Sequence, residues 1–396
     1  MTRLWDKGAP LDERVLAYTA GEDHALDDRL VRYDVRASIA HADMLAEQGL
    51  LSAADQRAIR DALEGIGEEH AQGKWRVTLD QEDCQTAIEN LLTARIGAAG
   101  GRLHAGRSRN DQVLAALRLY LRDAAQALHD GAVEAAQALE ALAARDGSIV
   151  LPGYTHMQQA MPSTVALWAL GFAAEIRDDA QGLALAGRRA AKNPLGSAAG
   201  YGTPNLELSR ESTRRALAFE VTHEPVTAVQ LSRGKAEAHL LFEITLLTQD
   251  IGRLAADLLL FYTQEFGFVS LPEAFTTGSS IMPQKRNPDV FELMRGRSAV
   301  AHAALNEVLG VTQKLSSGYH RDLQLIKPPL FRGIDSCRQT LDILPSALAG
   351  VAFRPEKIRL DPGIDAAAAA NALVARDKIP FREAYQRVAA ELKDRK

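Results

Sequence analysis

The chain has 396 residues, 46% hydrophobic and 24% charged, with 46 Lys and Arg against 51 Asp and Glu for a formal net charge of −5. That length can bury a sizeable core and divide into two or three domains, while the acidic balance, with no basic run interleaved with aromatics, excludes an overall nucleic-acid binder. Two isolated cysteines, Cys84 and Cys337, exclude a disulfide framework and a thiolate metal site and suit a reducing cytoplasm.

Ala and Leu dominate and β-branched runs are scarce, which predicts an all-α protein with little sheet. The start, MTRLWDKGAP, lacks the apolar core of a signal peptide. The most apolar helix is interrupted by Glu243, Asp250, Arg253 and Asp257, so no membrane insertion is expected.

An N-terminal helical domain is expected over 1–105, closing at Gly97, Gly100 and Gly101. At its border, His104-Ala-Gly-Arg-Ser-Arg-Asn110-Asp-Gln-Val sets Arg107, Arg109 and Asn110 just before a long helix over 111–146. A guanidinium fork and an amide at the positive end of that helix can grip a carboxylate, although Arg-Ser-Arg alone reads as a solvated turn. Next, Leu151-Pro-Gly-Tyr-Thr-His156-Met-Gln-Gln-Ala-Met-Pro162 reads as a rigid loop presenting Thr155 and His156. A lone loop histidine is more often structural than catalytic, but this pair can bind a carboxylate and manage a proton near neutral pH.

Further long helices are expected over 163–191, 228–266 and 288–316, all free of internal proline and much longer than the usual globular helix of about 12 residues. Together they form a central bundle domain over 106–345. In the segment 228–266, Leu240, Leu241, Phe242, Ile244, Leu247, Ile251, Leu254 and Leu258 belong to an apolar set covering nearly the whole circumference. Such a helix should be buried on all sides, because packing on one side leaves an apolar strip in water.

Residues 278–289, Gly-Ser-Ser-Ile-Met-Pro-Gln-Lys-Arg-Asn-Pro-Asp, put a serine loop and a cation in front of a helix. Asn287 suits the N-cap, Pro288 the first helical position, and Val290, Phe291, Leu293 and Met294 continue the periodicity. With Lys285, Ser279 and Ser280 beside the free N–H groups, the segment is equipped to hold a carboxylate-rich ligand. Tyr319-His-Arg-Asp-Leu-Gln324-Leu-Ile-Lys327 then gathers a phenol, an amide and an ammonium in one short stretch. Residues 346–396 are expected to form a small C-terminal helical domain, with the poly-Ala stretch 366–370 in a helix.

The string Gly-Ser-Ser-Ile-Met-Pro-Gln-Lys-Arg-Asn-Pro resembles the signature loop of the fumarase/aspartase superfamily. Its Gln-Lys-Arg-Asn-Pro-Asp form, with Gly106-Arg-Ser-Arg-Asn-Asp-Gln and the Tyr319 to Lys327 segment, is most similar to the argininosuccinate lyases. The resemblance implies an elongated long-helix bundle whose central helices assemble a cytoplasmic homotetramer, with three chains contributing to each active site. It also implies the β-elimination of arginine biosynthesis, which cleaves argininosuccinate to fumarate and arginine. No metal or organic cofactor is expected, since no clustered ligands and no nucleotide-binding glycine motif appear.

Site residues follow from the same resemblance. Ser279 matches the loop serine that acts as base, with Ser280 or His156 as alternatives. Lys285 and Asn287 stabilise the growing carboxylate charge, and Thr155 and Asn110 fix the fumarate half. His156, with Glu292 as its acidic partner, protonates the leaving guanidine. Arg109, Tyr319, Gln324 and Lys327 match residues that hold substrate. Arg233 and Glu237 survive from a Ser-x-Arg-Asp-Phe-x-x-Glu segment, Asp23 lies where the family usually has a serine touching substrate, and Gln85 replaces a histidine. The chain also ends several dozen residues sooner than the family usually does. Adenylosuccinate lyase is the nearest alternative, but Gln284 and the two other strings favour the arginine-forming enzyme. A catalytically silent, crystallin-like scaffold is the alternative outside enzymology, and the motif residues argue against it.

Overall fold

The structure, a computed structural model, describes residues 12–394, so the N-terminal stretch read above for a signal peptide lies outside the described residues. Five long helices dominate: Arg109–Asp146, Val165–Ala190, Lys235–Tyr262, Asp289–Thr312 and Lys327–Gly350. Sheet among the described residues is limited to two-stranded pieces. The chain divides into two compact units, and each long helix gives one part to each. The first unit holds the residues up to His129, Gln181–Thr245 and Ala299–Cys337; the second holds Asp130–Ala180, Leu246–Ser298 and the residues from Arg338.

In the first unit the helices Val31–Glu47, Ala53–Ala71 and Cys84–Ile96 pack around Ile59, Leu63, Ile66, Ile88 and Leu92. Ile59, Leu63 and Ile66 fall on one helical face, the spacing that lets an amphipathic helix bury a single stripe. Ser52 and Asp83 start the second and third of these helices by accepting the amides of Asp55 and Thr86 at 3.1 and 2.8 Å. The helix at Arg109 begins with a reciprocal cap. Ser108 Oγ accepts the Asn110 amide at 3.3 Å, and Asp111 Oδ1 accepts the Ser108 amide at 3.1 Å. Asp111 Oδ2 also accepts the amides of Gly196 and Ala198, at 3.1 and 2.8 Å, so one buried carboxylate ties a distant turn to the helix start. Arg109 and Asn110 are thereby locked in the first turn.

The single helix expected over 228–266 is two helices, Val226–Leu231 and Lys235–Tyr262, separated by a turn. Gly234 makes that turn with φ +87, and a Cβ there would lie 2.5 Å from Thr312 Cγ2, so both conformation and space demand glycine. Leu240, Leu241, Ile244, Leu247, Ile251 and Leu254 are buried as expected, but Phe242 and Leu246 remain 47% and 38% exposed. The apolar circumference of this helix exceeds what one chain covers.

In the second unit, the expected rigid loop over 151–162 is an antiparallel hairpin, Val150–Thr155 with Gln158–Thr164, in which Pro152 lies opposite Pro162. Its two-residue tip is His156-Met157, both with positive φ, at 52 and 61. The following helix therefore starts at Val165. Trp168, Phe261, Phe268 and Phe353 form an aromatic core with neighbouring ring centres 5.6 to 5.8 Å apart for the pairs 168–261, 168–353 and 261–268. The poly-Ala stretch opens the helix Ala366–Asp377, which packs on Phe381–Asp394 through Ala370, Ala384 and Val388.

Candidate active site

Seven of the residues singled out in the sequence line one pocket of the first unit: Asp23, Arg109, Asn110, Arg233, Tyr319, Gln324 and Lys327. Lys327 is its electrostatic centre. Its side chain is 3% exposed, and Nζ donates to Asp27 Oδ1 at 2.6 Å and to Asp23 Oδ1 at 2.9 Å. Burial disfavours the charge on Lys327, but the carboxylates of Asp27 and Asp23 outweigh that effect and hold its proton well above the usual lysine range. Burial pushes the Asp23 carboxyl up, Lys327 opposes the rise, and Asp27 adds to it. Asp27 is fully buried and also accepts the Cys84 amide at 3.3 Å.

Arg109 is engaged with the protein rather than left free for a ligand. Its guanidinium meets Asp83 Oδ2 at 3.1 Å and Thr86 Oγ1 at 2.8 Å, with Glu82 at 4.0 Å. Burial raises the Asp83 carboxyl, and Arg109 pulls it back. Asp83 is also the N-cap at Cys84, so the pair fixes Arg109 against the neighbouring helix. Gln324 donates its amide to the carbonyls of Thr19 and Ala20, both at 3.0 Å, and Arg321 reaches Thr19 at 2.8 Å. These contacts close the end of the helix Glu13–Ala20 over the pocket and leave the Gln324 carbonyl oxygen as an acceptor.

Arg233 differs from the other cations. It is 6% exposed, its Nε and Nη1 have no hydrogen-bond partner, and its guanidinium lies 6.0 Å from the Tyr319 ring centre. A buried guanidinium with orphaned donors is costly unless something fills the space before it.

The remaining predicted residues belong to the second unit and are absent from this pocket's lining. Thr155 and His156 stand at the exposed hairpin tip, Lys285 and Glu292 are exposed, and Ser279 and Asn287 are half-buried. Among the described residues no ion pair joins His156 to Glu292. The helix begins at Asp289, and the Asn287 side chain turns back on the loop instead of capping it, reaching Thr277 Oγ1 and the Gly278 carbonyl at 3.4 Å. Backbone bonds of 3.0 and 2.8 Å between Thr277 and Asn287 clamp the base of the serine loop, and Ser279 Oγ accepts the Ile281 amide at 3.4 Å.

Sequence reading missed the acidic wall of the pocket: Asp27, Glu82 and Asp83. One signal was present, since Asp23 and Asp27 are four apart and share a helical face. The departure at Gln85 leads away from the pocket, into a buried network. Gln85 Nε2 donates to Asp34 Oδ2 at 3.2 Å and Gln112 Nε2 to Asp34 Oδ1 at 3.1 Å. Asp34 is fully buried, and burial raises its carboxyl against the pull of Arg107.

Comparison with known proteins sets the class first. Residues 11–302 match the family described as Lyase. The chain is 46% identical over 391 residues to argininosuccinate lyase of Sorangium cellulosum, covering 98% of this chain and 90% of that protein. It is 38% identical over 389 residues to argininosuccinate lyase of Thermotoga neapolitana, covering 98% and 97%. Among solved structures, an EDDS lyase variant with bound fumarate superposes with a TM-score of 0.79 at 25% identity, over 97% of this chain and 76% of that one. The chain belongs to the argininosuccinate lyase family of the fumarase/aspartase superfamily and is a carbon–nitrogen lyase.

Proposed function

We propose that this protein cleaves argininosuccinate to fumarate and arginine, in the arginine-forming branch of amino-acid biosynthesis in the cytoplasm. The observation that carries the reading is the meeting of Arg109, Asn110, Arg233, Tyr319, Gln324 and Lys327, drawn from three separate motif segments, around one pocket in a chain 46% identical to an argininosuccinate lyase.

The reaction removes a proton from the carbon next to a carboxylate of the succinyl group, gathers negative charge on that carboxylate, and expels a guanidine. The difficult species is a dianion, so the site needs a base at that carbon, fixed donors around the carboxylate and an acid for the departing nitrogen. In this reading Ser279 takes the proton, and Lys285 and Asn287 hold the carboxylate as its charge grows. Thr155 and Asn110 fix the fumarate half, while Arg233, Tyr319, Gln324 and Lys327 receive the arginine half. His156, oriented by Glu292, gives its proton to the guanidine as the C–N bond breaks. Lys327 and Arg109 stay in place through their own carboxylates, which keeps the pocket organised before substrate arrives. The assembly proposed is a homotetramer in which Thr155, His156 and Ser279 reach the pocket from other subunits. Phe242 and Leu246, exposed apolar side chains on a helix that buries Leu240, Leu241, Ile244 and Leu247, support an assembled state.

Adding argininosuccinate to the purified chain should produce the ultraviolet absorbance of fumarate. A flat trace at high enzyme concentration overturns the proposal.

A further inference from the structure

We propose that Gln159 is a positioning residue: its amide ties the hairpin that presents Thr155 and His156 to the segment 359–361, and that tie holds the hairpin tip in its working place. The inference deepens the lyase reading, on which the part given to His156 rests.

The hairpin needs a restraint from outside itself. Its tip residues His156 and Met157 are exposed and have positive φ, a backbone region that is costly for a non-glycine residue and persists only where the surroundings enforce it. The register slips between Gly153 and Tyr154, so only the pairs Tyr154–Gln159 and Thr155–Gln158 lie between that irregularity and the tip. A two-stranded ribbon standing alone is marginal in water.

Gln159 supplies the restraint. Its Nε2 donates to the Arg359 carbonyl at 2.8 Å, and its Oε1 accepts the Asp361 amide at 2.8 Å. One side-chain amide thus uses both its ends on the backbone of a segment 200 residues later in the chain. Gln158, the neighbouring amide, donates to the Met157 carbonyl and so stays within the tip.

The segment that Gln159 grips is itself braced, and both partners belong to the second unit. On one side the Arg354 amide donates to the Phe268 carbonyl at 2.8 Å, and Arg359 Nη1 donates to the Glu356 carbonyl at 2.8 Å. On the other, the Asp361 side chain accepts the Gly363 amide at 2.7 Å and its carbonyl accepts the Ile364 amide at 3.0 Å. Ile364 is 5% exposed and leads into the helix Ala366–Asp377. A half-buried residue three positions after His156 is therefore pinned to a fixed loop. Without that pin the tip can sway, and a displacement of about 1 Å is enough to cost turnover.

The test compares the wild-type chain with Gln159→Met, which keeps the length of the side chain and removes both bonds. Residue-level hydrogen exchange should show the Asp361 amide protected about tenfold in the wild type and unprotected in the variant, the value of one hydrogen bond. With argininosuccinate, the variant's kcat should fall about tenfold while KM stays within about threefold and Tm within about 2 °C. A side chain that merely props the fold would lower Tm and leave the kcat of the folded enzyme unchanged. An unprotected Asp361 amide in the wild type overturns the inference whether or not the variant folds. Unchanged kcat in the variant, or a variant that does not fold, also overturns it. Any of these results alongside fumarate release leaves the lyase reading standing. No fumarate from the wild type sinks that reading instead, and loss of Asp361 protection in the variant then still supports the tie.

Discussion

Lys327 and Lys285 both come from motif segments, and the fold treats them in opposite ways. Lys327 is 3% exposed and bound to two carboxylates within its own unit, whereas Lys285 lies exposed on the loop between Thr277 and Asn287. The same division runs through the other candidates. Asp23, Arg109, Asn110, Arg233 and Gln324 are buried or half-buried around one pocket, while Thr155, His156 and Glu292 stand in solvent. The first group is organised by its own chain before any ligand arrives. Among the described residues the side chains of Thr155, His156, Lys285 and Glu292 in the second group make no hydrogen bond or ion pair.

The largest expected effect tests the chemistry of the exposed group. Ser279→Ala should lower kcat by about a thousandfold or more and change KM little, since a base acts mainly in the transition state. Because Ser279 is half-buried and makes only a 3.4 Å contact to Ile281, the variant should keep the wild-type Tm. Near-normal turnover would transfer the role to Ser280 or His156.

Subunit mixing tests the division itself. His156→Asn and Ser279→Ala chains, each inactive, should regain activity after joint refolding. If the two residues of one site come from different chains, roughly a quarter of the sites in random tetramers carry both intact. Tagged subunits shown to co-assemble yet as inactive as either parent would place both residues of each site on one chain.

A paired substitution then sharpens the contrast. Lys327→Met leaves Asp23 and Asp27 without their buried partner and should cost about 3–5 kcal/mol of stability along with activity. Lys285→Met removes an exposed cation, so stability should stay within about 0.5 kcal/mol while turnover falls. Equal losses of stability in thermal unfolding would erase the distinction between the two lysines.

Much of this was legible because the motif segments carry their chemistry in local strings: Arg109 and Asn110 in one, Tyr319, Gln324 and Lys327 in another. The acidic wall was not, because Asp27 and Asp83 look in sequence like ordinary solvated carboxylates. Asp27 gains its buried partner only once Lys327, 300 residues later, packs against it, and Asp83 gains its own only once Arg109 of a separate helix reaches it. The hairpin at 150–164 was hidden by Pro152, Gly153 and Pro162, which read as loop residues, although prolines are tolerated in a short two-stranded ribbon with free edges. The break at Gly234 was masked by apolar periodicity running through it. There a single glycine with positive φ outweighed a pattern extending over the whole segment.

The smallest expected effect bears on what the organised pocket costs the fold. The Asp23 carboxyl is raised from 3.8 to about 7, mainly by burial, so the folded chain holds this proton more tightly than the unfolded chain does. The sign follows from that difference: the contribution of Asp23 to stability is fully present below its unfolded value and is lost as pH rises through its folded value. Lys327 opposes the rise and so limits the effect. Wild-type Tm, followed from about pH 4 to 8, should therefore contain a decline that Asp23→Asn lacks, a difference on the order of 1–2 °C. Parallel profiles for the two proteins would mean that Lys327 already neutralises Asp23 in the empty pocket. Burial of Asp23 would then carry no cost for the fold, and the contrast between an organised pocket and an exposed loop would lose one of its two sides.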